Sequence, residues 1–133
     1  MKVETLQINS HRREELINIT AAIEKFVRNA GLREGVVIIF VPHTTAAVTI
    51  NENADPDVKH DIIHKLNSEF PQDDSYLHGE GNSDAHIKSS LIGASLQIIV
   101  TEGKLLLGTW QGIYFCEFDG PRSRNVYIKA IAC

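Results

Sequence analysis

Three histidines lie in or beside polar turns of the sequence, where an imidazole can reach a ligand. His43 follows the apolar run at residues 36–41 and precedes two hydroxyl side chains, Thr44 and Thr45. An imidazole at the end of a strand can ligate a metal, donate a proton or anchor a ligand. The same residue can also simply hold the carbonyl groups of its own turn, so this segment leaves a functional and a structural role open.

His78 and His86 flank a glycine-bearing turn. Its glycines allow the backbone to approach a ligand closely, and the free amides at the start of the next helix could receive a phosphate. The polar side chains at this helix start are Asn82, Ser83 and Asp84. Asp84 could also ligate or orient an imidazole, although the spacing matches no standard zinc motif and an ordinary polar loop remains the alternative.

The grouping of these imidazoles with acidic residues predicts one shared site. Its candidate catalytic residues are His43, His78, His86, Asp84 and Glu52. The three histidines are the predicted ligands of a divalent metal, zinc or magnesium, which would keep an open position for water or phosphate. Without a metal, the same cluster would hold an anion once protonated. In either case the imidazoles should lie within about 10 Å of one another, counting neighbouring subunits.

A further histidine pair, His60 and His64, has the spacing of the HExxH zinc motif but carries Asp61 where that motif has glutamate. The apolar residues of the same helix share one arc of the helical wheel: Val58, Ile62, Leu66 and Phe70. At about 100° per residue, both histidines fall roughly opposite this arc. We therefore predict that they occupy a solvated face and that the chain is not a metalloprotease of this type.

Two arginines, Arg122 and Arg124, lie beside the last turn of the chain. Either guanidinium could bind a phosphate through two parallel hydrogen bonds. The alternative is an ion pair with Asp119 or Glu117 across the hairpin. The full set of ligand-binding candidates is Thr44, Thr45, Asn51, Asn82, Ser83, Arg122 and Arg124.

Hydrophobic periodicity and turn signals place these residues on strands, helices and turns. Strands are predicted at 2–9, 14–19, 36–41, 46–51, 95–100, 108–118 and 124–131. Helices are predicted at 21–30, 56–70 and 85–91, capped by Thr20, by Asp55 and by Ser83 or Asp84. The order of strand pair, helix, strand pair, helix and three strands favours an α+β fold with an antiparallel or mixed sheet over a doubly wound one.

Two strands are apolar on both faces. Residues 36–41 are unbroken apolar and rich in β-branched side chains, which predicts a strand covered on both sides. Together with residues 113–118 they offer more apolar surface than one small sandwich readily covers, so burial between subunits is a reasonable destination for the excess. Trp110 is interpreted as a structural residue, filling the core or an interface.

The bulk properties bound the class of protein. With 133 residues, 43% hydrophobic and 23% charged, the sequence fits a single globular domain spanning residues 1–133. A formal net charge of -4 argues against nucleic acid or an anionic membrane as the main partner, while a small phosphorylated molecule stays compatible with local basic groups. No window approaches the ~18 apolar residues of a membrane span, no secretory signal is present, and the two cysteines lack CxxC spacing, so we expect a cytoplasmic protein.

Four ordered segments, residues 17–27, 41–58, 78–93 and 105–124, resemble the YjbQ-like family. The resemblance covers nearly the whole chain and includes the stretches HTTAAVTINEN, HGEGNSDAH and GTWQG. It implies a β-sandwich-like α+β subunit, assembly as a homotrimer, and a weak, secondary thiamine-phosphate synthase activity. The family's polar motif residues fall on His43, Thr44, Thr45, Asn51, Glu52, His78, Asn82, Asp84 and His86. The resemblance does not say which of them do chemistry.

Residues and resemblance together predict a small enzyme acting on phosphorylated metabolites of pyrimidine or thiazole type. Thiamine-phosphate synthesis joins a pyrimidine methyl diphosphate to a thiazole phosphate and releases pyrophosphate, so its site needs positive charge from a metal or arginines. One alternative is a metal-dependent hydrolase or phosphotransferase of another specificity, with Glu52 or Asp84 positioning water. Another is a non-catalytic ligand-binding or assembly module in which the histidines bridge subunits.

Overall fold

Two antiparallel sheets and three helices make up the chain in the computed structural model, which describes residues 2–133. Over that range the strands are β1 (Glu4–Asn9), β2 (Glu15–Asn18), β3 (Gly35–Phe40), β4 (Ala46–Glu52), β5 (Ser95–Thr101), β6 (Lys104–Leu105), β7 (Gln111–Glu117) and β8 (Ser123–Ala132). The helices are α1 (Thr20–Ala30), α2 (Pro56–Glu69) and α3 (Ser83–Ile92).

The strands form one five-stranded sheet, in the order β1-β8-β3-β5-β6, and one three-stranded sheet, in the order β2-β7-β4. All of these neighbours pair in antiparallel fashion. The predicted α+β fold with antiparallel strands is therefore confirmed, as is the exclusion of a doubly wound sheet. The predicted strand pairs are wrong, because β1 and β3 lie in the five-stranded sheet while β2 and β4 lie in the three-stranded one.

Alternating side chains of the five-stranded sheet build the main hydrophobic core against the three-stranded sheet. The inward residues of its two central strands are Val37, Ile39, Val126, Ile128 and Ala130. Helix α1 closes this core with Ile23, Phe26 and Val27. Burying an aliphatic or aromatic side chain of this size stabilises the fold by roughly 1.5–3 kcal/mol relative to leaving it in water.

The three-stranded sheet is the middle layer of the molecule, because helices cover its other face. On β7, Ile113 and Phe115 face the main core, while Tyr114 and Cys116 face a second apolar cluster. Helices α2 and α3 cover that cluster with Ile62, Ile63, Leu66, Ala85 and Ile92. The two-sided apolar pattern at 113–118 is thus satisfied within one subunit and leaves no excess there for an interface.

The outer face of β3 corrects the prediction that this strand is covered on both sides. Phe40 is 44% exposed, and Val36 and Ile38 on the same face are only half-buried. On the neighbouring strand β8, Tyr127 lies opposite Phe40 and Ile131 lies opposite Val36, and both are exposed. The outer face of the five-stranded sheet therefore presents an apolar row that nothing within residues 2–133 covers.

The helix ends follow the predicted signals only in part. Asp55 caps α2 by accepting an amide hydrogen bond in the first turn, as predicted. Thr20 is instead the first residue of α1, and its hydroxyl accepts a hydrogen bond from the amide of Ile113, 2.8 Å away. Helix α3 begins at Ser83, and its cap residue is Asn82 rather than Ser83 or Asp84. No helix within residues 2–133 has the length and apolar character needed to cross a membrane.

The chain crosses from the five-stranded to the three-stranded sheet between β3 and β4, and His43 lies on this crossing. The amide of Val41 donates to the carbonyl of Ala94 over 2.7 Å, just after α3 ends. The amide of Phe118, just after β7, donates to the carbonyl of Thr45 over 3.2 Å. These bonds fix the crossing between the end of α3 and the end of β7.

Candidate functional site

The backbone of β8 holds His43 in place. Its Nε2 atom lies 3.0 Å from the amide nitrogen of Asn125 and 3.1 Å from the carbonyl oxygen of the same residue. An unprotonated Nε2 accepts from the amide, whereas a protonated Nε2 donates to the carbonyl. The ring is therefore anchored in either state, and Nδ1 is left for another partner.

The charge state of His43 is set by its surroundings. Partial burial lowers the pKa of this imidazole, and the positive charges of Arg124 and Arg122 lower it further. The hydrogen bond with Asn125 and the negative charge of Glu117 oppose this shift without reversing it. Because the net pKa lies below the ordinary value, the ring is neutral near pH 7.

His78 and His86 form a close pair on the other side of α3. Their ring centroids lie 5.3 Å apart, with the planes nearly perpendicular at 83°. His86 lies in the first turns of α3, and His78 lies in the loop that precedes the helix. Two of the three predicted imidazoles are thus in direct contact.

Three adjoining shallow cavities connect these histidines. His43, Arg122 and Arg124 line the first, of about 490 Å³. His43 and His86 line the second, of about 510 Å³. His78 and His86 line the third, of about 560 Å³. Neighbouring cavities share a histidine, and we call the three cavities together the histidine groove.

The three imidazoles do not form a metal site by themselves. Within the described part of one subunit, no group of three or more His, Cys, Asp or Glu side chains is placed to hold a metal ion. One physical reason is that Nε2 of His43 is already bonded to the Asn125 peptide. The predicted three-histidine metal site therefore does not form within one subunit.

Arg124 lines the His43 end of the groove although its side chain is only 3% exposed. Its Nε and Nη2 atoms donate to the carboxylate of Glu117, and Nη2 also donates to the hydroxyl of Thr45 over 2.9 Å. The Nη1 atom makes no hydrogen bond to residues 2–133, yet it is not sealed from solvent. The only sealed and unbonded side-chain polar atom in that range is Oδ1 of Asn82.

Glu117 lies fully buried behind the groove. Burial alone would raise the pKa of this carboxyl, but hydrogen bonds from Arg124, from the hydroxyl of Ser10 and from the amide of Asp119 outweigh it, and the pKa is lowered. The carboxylate is thus ionised and orients Arg124. A glutamate at the end of an apolar run was the sequence signal for this buried pair.

Arg122 forms an ion pair, which was the alternative to phosphate binding considered for the two arginines. Its Nη2 atom donates to Oδ2 of Asp119 over 2.9 Å, and its Nε atom donates to the carbonyl oxygen of the same residue. The predicted ion pairs are therefore present, Arg122 with Asp119 and Arg124 with Glu117, but β7 and β8 lie in different sheets and do not form the predicted hairpin. Both arginines nevertheless line the groove.

Asp84 lies outside the groove, in a buried ion-pair network, which corrects its predicted place beside an imidazole. Its carboxylate accepts two bonds from Arg13, at 2.9 and 3.1 Å, and one from Lys88, at 2.8 Å. Burial alone would raise the pKa of Asp84, but these hydrogen bonds and positive charges outweigh it, and the pKa is lowered. The ionised carboxylate ties α3 to the β1–β2 turn.

Asn51 and Glu52 also lie away from the histidines of the same subunit. They end β4, whereas His43 and Thr44 precede its first residue, so the length of the strand, about 20 Å, separates them. The carbonyl of Glu52 accepts a hydrogen bond from the hydroxyl of Tyr114. Within one subunit Glu52 therefore does not reach the groove, where its catalytic role was predicted.

The remaining ligand-binding candidates divide between the groove and its support. Thr44 lines the first two cavities and Ser83 lines the third. Thr45 also lines the first, but its hydroxyl is occupied by Arg124. Asn82 donates to Asp119 over 2.8 Å. The lining residues that the sequence reasoning missed include Tyr76, Ser89 and Ser90.

Residues 4–133 match the family model described as UPF0047 protein YjbQ-like. A UPF0047 protein of Methanocaldococcus jannaschii is 57% identical over 125 residues, which cover 94% of this chain and 91% of that protein. The UPF0047 protein YugU of Bacillus subtilis is 53% identical over 128 residues, which cover 96% of this chain and 97% of YugU.

Solved structures share the same architecture. A conserved uncharacterized protein of the YjbQ/UPF0047 family from Clostridium acetobutylicum is 52% identical, with a TM-score of 0.95 over 96% of this chain and 99% of that one. A protein of unknown function from Sulfolobus solfataricus is 32% identical, with a TM-score of 0.95 over 99% of this chain and 97% of that one. The resemblance noted in the sequence is thereby confirmed, and the chain belongs to the YjbQ-like UPF0047 family.

Proposed function

We propose that the histidine groove binds a phosphorylated small molecule, with its phosphate at the end lined by Arg124. The observation that carries this proposal is the buried guanidinium of Arg124, which Glu117 holds in place. The Nη1 group of Arg124 has no protein partner in residues 2–133. A guanidinium fixed in this way offers N–H groups without further loss of side-chain entropy. Arg122 and Thr44 line the same cavity and add a second cation and a hydroxyl.

The rest of the ligand would extend along the groove toward His86 and His78. The third cavity there adds Tyr76 and Ile87 to the two imidazoles, a surface suited to a flat ring. His43 and His86 are the candidates for proton transfer, since both line the middle cavity. This arrangement supports a small enzyme acting on phosphorylated metabolites, with thiamine-phosphate synthesis as the first reaction to test.

Binding can be tested by calorimetry with inorganic pyrophosphate. Arg122→Gln removes a groove cation from an exposed position and should weaken binding about tenfold, the value of one charge-assisted hydrogen bond. Arg124→Lys keeps the charge beside Glu117 but loses Nη1, and should weaken binding at least as much. Arg28→Gln, on α1 beside a different cavity, is the matched control. Wild-type protein that binds neither phosphate nor pyrophosphate would rule the proposal out.

Turnover is a separate question. Purified protein should form thiamine phosphate from the pyrimidine diphosphate and thiazole phosphate above a His86→Ala control, with and without divalent metals. Equal product from wild type and variant would exclude this reaction. Pyrophosphate binding without turnover would instead favour the non-catalytic ligand-binding alternative.

We also propose that the subunit assembles as a homotrimer through the outer face of the five-stranded sheet. The support is the exposed apolar row there, formed by Val36, Ile38, Phe40, Ile99, Tyr127 and Ile131. Exposed apolar side chains grouped on one face of a sheet mark interaction surfaces. Phe40 also lines the first cavity of the groove, so a neighbouring subunit on this face would lie beside the proposed phosphate end. A metal held between subunits would belong to the same assembly.

A further inference from the structure

A second histidine pair lies on α2, away from the histidine groove. The rings of His60 and His64, one helical turn apart, are stacked with their planes 7° apart and their centroids 6.1 Å apart. Both side chains are exposed, as predicted, with that of His60 at 76%. They also line a cavity of about 590 Å³ between α2 and the segment that enters β2.

The spacing of the two rings is close to that of imidazoles sharing one metal ion. Two rings bound at ~2.0–2.1 Å and tetrahedral angles have centroids about 5 Å apart. The rings are nearly parallel, so His60 and His64 must also turn until one nitrogen of each points at the same ion, which exposed side chains achieve by rotations about their own torsions. Histidines at positions i and i+4 of a helix are also the spacing of the HExxH zinc ligands.

A neighbouring carboxylate orients the ring of His60 for metal binding. Nδ1 of His60 lies 3.3 Å from Oδ1 of Asp61. Metal-binding histidines commonly donate one ring N–H to a carboxylate, which fixes the tautomer and leaves the other nitrogen with its lone pair. The same bond in this chain leaves Nε2 of His60 as the ligand atom.

We propose that His60 and His64 chelate a divalent transition metal of the first row, such as zinc, nickel or copper. Within residues 2–133 no third protein ligand completes this pair, so the site is open and water fills its remaining positions. It differs from a metalloprotease site, because Asp61 orients a ligand rather than acting as the catalytic glutamate. The cavity beside it, lined by Glu14 and Asn67, gives a small ligand access to the open positions.

Calorimetry with nickel and with zinc tests the site on the intact protein. We expect one ion per chain, with nickel bound more tightly than cobalt and copper more tightly than nickel. His60→Gln and His64→Gln should each weaken binding at least about tenfold, because each removes one of two ligands. Both positions are exposed, so the variants should keep the unfolding midpoint of the metal-free protein.

Two matched variants separate this site from the groove. His86→Gln, which breaks the closer histidine pair of the groove, should leave nickel affinity unchanged, and Asp61→Asn should weaken it less than loss of either ligand. Nickel binding that survives His60→Gln and His64→Gln, or that disappears in His86→Gln, would overturn the proposal. So would wild-type protein that binds neither nickel nor zinc. None of these outcomes depends on the phosphate site.

Discussion

Glu117 is a buried carboxylate at the end of the apolar strand β7, and its pairing with Arg124 decides how the groove is built. The side chain of Glu117 is fully buried, and that of Arg124 is only 3% exposed. A buried ion pair of this kind is weak support for stability as a whole, since a well-packed apolar pair can replace it. Its effect is to hold one guanidinium nitrogen at the groove.

We expect the two members of this pair to be strongly coupled in stability. Glu117→Gln and Arg124→Met should each lower the free energy of unfolding by about 3–5 kcal/mol, because each leaves a buried partner uncompensated. The double variant should lose clearly less than the sum of the two. Urea unfolding of all four proteins measures this, and additive losses would show that the pair does not interact as described.

Protonation of His43 should control anion affinity. Its pKa is lowered, so the ring gains its positive charge only as the pH falls below about 6.5. Affinity for sulfate, whose own charge is constant over this range, should therefore rise as the pH falls from 7 toward 5. Calorimetry across that range should show a smaller rise in His43→Gln. An identical rise in the variant would assign the effect to other groups.

At the scale of elements, β3 and β8 meet so closely that one position excludes a side chain. A β-carbon on Gly35 would collide with the backbone carbonyl of Ile131 on the paired strand. The neighbouring backbone belongs to the last residues of β8 that pair with β3, and it cannot move without breaking the ladder there. The close approach therefore depends on glycine at this position.

Gly35→Ala should accordingly destabilise the protein by about 1–3 kcal/mol, the usual cost of forcing extra volume into packed structure. Gly79→Ala is the matched control, because a β-carbon there meets no atom within 4 Å. Thermal unfolding of the two variants compares them directly. Equal midpoints for both would show that the strand contact at Gly35 is looser than described.

Local sequence pattern predicted the elements well and the side-chain partners poorly. Alternation placed β8 correctly, because every second residue from Arg124 to Ala130 is buried. Hydrophobic pattern gave the wrong result for the outer face of β3. An apolar run has the same sequence pattern whether that face is covered by another layer of the same chain or is left exposed. Asp84 was misplaced because its main partner, Arg13, lies 71 positions away.

In the candidate site, too, the contacts between residues close in sequence were predicted, and those that depend on the tertiary fold were not. His78 and His86 were predicted together because one short turn links them. That His43 shares a cavity with His86 depends on how the chain crosses between sheets, which periodicity does not encode. The separation of Glu52 from His43 follows from the length of β4, which a site drawn from turn residues alone ignores.

At the scale of the whole molecule, the outer sheet face predicts the oligomeric state. Light scattering should give three times the subunit mass of 14.8 kDa at low micromolar concentration. Phe40→Asp places a charge in the exposed apolar row and should shift the protein toward monomers. Leu91→Asp, at an exposed apolar residue of α3 outside that row, is the control. A wild-type monomer would refute the trimer.

The middle-layer position of β7 has a consequence for how the native state opens. Its amides are paired on both sides, by β2 and β4, and its side chains are buried on both faces. Such amides exchange with deuterium only when the entire subunit unfolds. Helix α2 has no buried residue, so it should open locally and exchange far sooner. Comparable protection of the β7 and α2 amides from exchange would contradict this description. If the β7 amides exchange far more slowly, their exchange reports the free energy of global unfolding, and α2 is a unit that opens separately.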